Sequence, residues 1–177
     1  MRITEVTIFI SIFWLIEIFN GSMGHQLSLW GIYPRSEVGL RGILVWPLLH
    51  ASYAHLIANT VPLAILSWFM LFRGIKEFLF LTLAITIIAG VGVWLFARPA
   101  IHVGASGLIF GYFGFLVAAG WYERSIKSIL VSLLTLFIYG GIIWGVLPRA
   151  SQVSWEGHLF GLIAGFIVAS FFEKRGK

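Results

Sequence analysis

The chain of 177 residues has no cysteine. That excludes disulfides, thiolate metal sites and a cysteine nucleophile. It has no aspartate either, so neither a paired-aspartate protease site nor a Ser-His-Asp triad can be built from it. A His-Glu-x-x-His zinc-protease helix is also missing. Charge of both signs is sparse, with 12 Lys and Arg and 7 Glu against 59% hydrophobic residues, which is far from a soluble composition. The net charge of +5 is not gathered into a basic run interleaved with aromatics, so nucleic acid is not an expected partner. The Lys and Arg residues stand at the ends of hydrophobic segments, where they act as topology signals.

Apolar stretches of membrane-spanning length recur along the whole chain. They predict an all-α, polytopic membrane protein in which residues 1–177 form a single domain in the lipid bilayer. Six transmembrane helices are expected over about residues 6–19, 54–72, 78–96, 105–121, 129–146 and 157–172. The first run is kept as a helix because Asn20-Gly21-Ser22-Met23-Gly24-His25 is a poor signal-peptide cleavage site. Glu17 lies inside that run, and a membrane carboxylate there is expected to reach a helix end or a polar neighbour. Residues 21–53 read as a long connection lying partly in the interface, with Trp30, Tyr33 and Trp46 at headgroup level.

With six helices, Arg2, Arg73, Lys76, Arg124, Lys127, Lys174, Arg175 and Lys177 fall on one face, and Arg35, Arg41, Arg98 and Arg149 on the other. The positive-inside rule then puts both termini in the cytoplasm of a cell (inner) membrane. Helices two, four and six all start at the outer face. Their first turns carry the residues able to do chemistry: His55 and Asn59, Ser106, and His158.

A serine is a nucleophile only when a base takes its proton, and histidine suits that role near neutrality. Gly157, Gly161 and Gly165 recur every fourth residue, and Gly104, Gly107, Gly111 and Gly114 form a matching strip. Packing the two strips together would bring His158 to Ser106. His55 and Asn59, spaced i, i+4, share a helix face and can donate to an oxyanion, helped by backbone N–H groups at Ser106. Phe110, one turn after Ser106, can pack on the His158 ring. Without an aspartate the expected arrangement is a dyad.

His55-x-x-x-Asn59, Gly104-Ala105-Ser106-Gly107 and Gly157-His158-x-x-Gly161-x-x-x-Gly165 together resemble the core six-helix form of the rhomboid intramembrane serine proteases. The resemblance implies Ser106 as nucleophile, His158 as general base, and His55, Asn59 and the Ser106 backbone as the oxyanion hole. Gly104, Gly107, Phe110, Gly157 and Gly161 would be supporting residues. It further implies transmembrane protein substrates that enter laterally past helices two and five, no cofactor and no metal, and a cap in the loop from Pro148 to Trp155. His50 fits a histidine often seen in the family. Two features depart from its pattern: Leu40-Arg41 stands where many relatives carry Trp-Arg, and the turn after helix two lacks Glu-x-Arg. An inactive relative that binds transmembrane helices as a chaperone or adaptor is the alternative. A haem or metal carrier using His50, His55, His102 and His158 is a third reading. Oligomeric state has no signal in the sequence.

Overall fold

The computed structural model describes residues 2–148 and 153–172. It is a helical bundle of α1 (Arg2–Ser22), α2 (Glu37–Leu40), α3 (Gly42–Val45), α4 (Tyr53–Leu71), α5 (Ile75–Phe96), α6 (Ser106–Glu123), α7 (Ile126–Tyr139) and α8 (Trp155–Ser170). Four segments are long and apolar enough to cross a membrane: α1, α4, α5, and α7 with its 3₁₀ continuation to Val146. Their outward faces carry exposed Ile8, Leu15, Val61, Phe80, Leu130 and Phe137. A surface this apolar is compatible with lipid and not with water, and helices satisfy their own backbone groups there. The protein is a multi-pass integral membrane protein.

The centre is α6, buried along most of its length. Glycines lower its apolarity, but they let its neighbour approach. A Cβ on Gly161 would lie 2.1 Å from the Gly107 carbonyl oxygen, and one on Gly165 would lie 2.1 Å from that of Gly111. The α6 and α8 backbones therefore touch, making theirs the most extensive helix interface in the bundle. Gly104 does not belong to this strip. It stands before α6 with φ +121°, and a Cβ there would meet the His55 ring.

Local chemistry sets the helix ends. Ser52 caps α4 by accepting from His55 N, Ser154 caps α8 by accepting from Gly157 N, and Ser125 forms a capping box with Ser128 at the start of α7. That box starts α7 three residues earlier than expected. The same segment was expected to be one helix to residue 146; it winds into a 3₁₀ segment at Gly140–Val146, where Gly140-Gly141 weakens the α-helical preference.

The connection from residue 21 to 53 is more structured than expected. It holds α2, α3 and 3₁₀ turns at Gln26–Trp30 and Trp46–Leu48. Trp46 is not a headgroup anchor: it is 1% exposed, a Cβ on Gly107 would run into its ring, and one on Gly157 would press against it at 3.3 Å. Trp30 and Tyr33 are exposed as expected, and Arg41 lies over the Trp30 ring, 4.6 Å from its centroid. Ile32 pairs with His102 in an isolated antiparallel bridge, tying this connection to the segment that precedes α6. Glu17 is fully buried. Asn20 Nδ2 donates to it at 3.0 Å, and His25 Nδ1 lies 3.3 Å away without hydrogen-bond alignment.

At the opposite end of the bundle Arg73 pairs with Glu77 and Glu123, Arg2 lies over Phe72, and Lys127 Nζ donates to the Phe72 carbonyl. These basic residues thus share one end, as the sequence grouping required. The expected cap from Pro148 to Trp155 includes residues 149–152, and the charged tail comprises residues 173–177; both sets lie outside the described residues.

Candidate active site

The site is assembled where α4, α6 and α8 begin. The segment before α6 crosses directly beneath the first turn of α4: a Cβ on Gly104 would be 2.5 Å from His55 Cε1. Only glycine allows this approach at a positive φ. Asn59 is one turn further along α4, on the same face as His55, and is buried. Its Nδ2 has no hydrogen-bond partner. A buried amide donor left without a partner calls for a physical explanation.

His50 supports the segment from behind. Its carbonyl accepts from Asn20 Nδ2 at 3.0 Å and from Ser28 Oγ at 2.7 Å. Its Nε2 accepts the Ala105 N–H at 3.3 Å, so that nitrogen carries no proton. Burial, and then the neighbouring His55, hold the His50 imidazole down to about 3, consistent with a neutral acceptor. The His50 and His55 rings meet edge to face at 5.0 Å.

Ser106 is the first residue of α6 and is half-buried. Its backbone N–H is among the first-turn donors that have no partner within the helix. Phe110, one turn later on the same face, stacks on His158 with centroids 4.3 Å apart and planes within 5°. The imidazole therefore lies on the Ser106–Phe110 face of α6. His158 Nδ1 is 2.9 Å from the Gly145 carbonyl oxygen. A carbonyl can only accept, so Nδ1 carries the proton. The other nitrogen, Nε2, is buried and has no hydrogen-bond partner; it does not bond Ser106 in this resting arrangement. Catalytic hydrogen bonds are commonly long before substrate binds.

Three features of the site went unread in the sequence. Gly145 holds the His158 ring. Trp46 fills the space between α6 and α8, and its carbonyl accepts Gly104 N–H at 2.9 Å. The start of α8 is pinned from the segment before α6: His102 Nδ1 bonds Ser154 Oγ at 2.7 Å, His102 Nε2 donates to the Arg98 carbonyl at 3.0 Å, and Arg98 Nε lies 3.4 Å from Glu156. Burial lowers the His102 pKa, so the ring is neutral and accepts from Ser154. Among the described residues no three His or carboxylate groups converge to hold a metal. Of the four histidines weighed as haem or metal ligands, His102 has both ring nitrogens bonded to protein partners.

The chain matches the Rhomboid domain over residues 39–175. It is 40% identical over 175 residues to "Uncharacterized protein Rv1337" of Mycobacterium tuberculosis, an alignment covering 94% of this chain and 73% of that one. It is 31% identical over 168 residues to "Rhomboid protease GluP" of Bacillus subtilis, covering 91% of this chain and 32% of the relative. To "Putative rhomboid protease YdcA" of the same organism it is 28% identical over 130 residues, covering 69% and 62%. A domain match over most of the length, together with a 40% identical relative aligned over 94% of this chain and 73% of its own length, establishes that the chain belongs to the rhomboid family.

Proposed function

We propose that the protein is an intramembrane serine endopeptidase in which Ser106 and His158 form the dyad. One observation carries this reading: the His158 ring, stacked on Phe110 and bonded through Nδ1, keeps an unpaired Nε2 on the face of α6 that bears Ser106. Ser106 Oγ attacks the scissile carbonyl carbon while Nε2 takes its proton. The tetrahedral oxyanion receives hydrogen bonds from Ser106 N–H, Asn59 Nδ2 and a His55 ring N–H, donors that cost no reorganisation during the reaction. The imidazolium then protonates the leaving amine as the C–N bond breaks, leaving an acyl ester on Ser106. Water, giving its proton to the same Nε2, hydrolyses the ester and restores the serine.

The substrates are transmembrane segments of other proteins, cut near the outer leaflet. A peptide bond inside a regular helix is shielded, so segments with Gly, Pro or small polar residues near the cut are preferred. Both termini lie in the cytoplasm and the site opens to the outer face; the two-to-one distribution of Lys and Arg supports this orientation. The test is cleavage of a tagged single-span substrate in proteoliposomes. Wild type is expected to release a fragment and Ser106→Ala to release none. A Ser106→Ala protein that retains the wild-type effect on its membrane partner would favour the helix-binding adaptor instead.

A further inference from the structure

We propose that the main-chain carbonyl of Gly145 is the positioning group that completes the Ser106–His158 dyad, taking the place an aspartate would fill in a triad. The inference rests on the protease reading and goes beyond it by naming what fixes the base.

Four observations converge on Gly145. Its oxygen is 2.9 Å from His158 Nδ1, so it keeps the proton on Nδ1 and leaves the Nε2 lone pair free for the serine. The carbonyl is available because of Pro148. In the 3₁₀ segment Gly140–Val146 a carbonyl accepts from the N–H three positions on, as the Trp144 carbonyl does from Leu147 N. For Gly145 that residue is Pro148, which has no N–H. The position also has no room for a side chain: a Cβ on Gly145 would lie 2.7 Å from Phe110 Cζ and 3.2 Å from His158 Nδ1. Finally, the carbonyl sits at the C-terminal end of a helical segment, where the partial negative charge favours the imidazolium formed as Nε2 takes the serine proton.

The chain has no aspartate, and among the described residues no carboxylate bonds the His158 ring. A carbonyl supplies the tautomer control of a triad without a buried charge. Its holder is lightly packed: Gly140 and Gly141 have open space around them, and Trp144 and Leu147 are exposed. The base is therefore competent only while this 3₁₀ segment is seated.

The tautomer is read directly from histidine ¹⁵N shifts of the folded wild-type protein, with His158 assigned by substitution. A protonated Nδ1 and an unprotonated Nε2 are expected; an Nε2–H tautomer overturns the inference whatever the variants do. Kinetics on a transmembrane substrate in proteoliposomes supply the second readout. Pro148→Ala adds a competing N–H without touching Phe110 or His158, and is expected to lower kcat by roughly tenfold with KM unchanged. Gly145→Ala is expected to lower kcat by on the order of 10²-fold. Wild-type kcat in both variants overturns the inference but leaves the protease reading standing, whereas wild type that cleaves nothing removes both.

Discussion

The imidazole of His158 lies parallel to the ring of Phe110, with centroids 4.3 Å apart. Phe110 is buried and shares a helix face with Ser106, so the stack sets where the imidazole sits relative to Ser106. Phe110→Leu keeps an apolar side chain but gives up the flat surface, a loss of about 1 kcal/mol of ring–ring interaction. The expected result is a kcat lowered by about tenfold, with the thermal midpoint falling only slightly; steady-state cleavage beside a melting curve checks both.

The contact between α6 and α8 has no slack. At Gly161 a Cβ would meet a backbone carbonyl, which cannot rotate away as a side chain can. Gly161→Ala should destabilise the protein by about 1–3 kcal/mol, the usual cost of overpacking, and abolish activity by parting Ser106 from His158. Gly140→Ala, where a Cβ meets nothing within 4 Å, should leave the melting temperature unchanged or raise it. Thermal unfolding in detergent distinguishes the two.

Acid should destabilise the fold through two histidines in the connections. Burial depresses both His50, held to about 3, and His102. The unfolded chain takes up protons at these sites near pH 6.5 while the folded chain does not, so their stability contribution is complete above 6.5 and is lost as pH falls below it. For His50 the cost is about 1.4 kcal/mol per pH unit in that window, and His102 adds to it in the same direction. Melting temperatures measured between pH 7.5 and 5 should fall, and His50→Asn should flatten the slope.

Ser154 caps α8 and also bonds the buried His102. Ser154→Ala removes both interactions at once. It should cost about 1 kcal/mol for the cap and a further 1–3 kcal/mol for the orphaned ring nitrogen. Ser154→Thr keeps the hydroxyl and should recover most of the loss, as a melting comparison of the two variants would show.

Much of this arrangement is legible in the sequence. Glycine strips on α6 and α8 announce backbone contact because nothing else fits between helices so spaced, and His55 with Asn59 announces a shared face by period alone. Trp46 was misread because an aromatic among glycines and prolines looks the same whether it meets headgroups or fills a gap between helices. Gly104 was misassigned because a glycine tolerating positive φ and one tolerating close packing are the same letter. Gly145 was invisible for a different reason. Its contribution is a backbone carbonyl, which every residue has, and the one hint was the Pro148 that leaves it unpaired. His102, Ser154, Arg98 and Glu156 meet across more than 50 residues of chain, a pairing that no local pattern encodes.

The central claim is that Ser106 is a nucleophile activated by His158. The most direct measurement is peptide-level mass spectrometry of the folded protein after reaction with a fluorophosphonate, on wild type, His158→Ala and Ser106→Ala. The account predicts a single adduct on the peptide containing Ser106 in wild type, and none in either variant. An adduct elsewhere, equal labelling of Ser106→Ala, or folded wild type that stays unlabelled would contradict it.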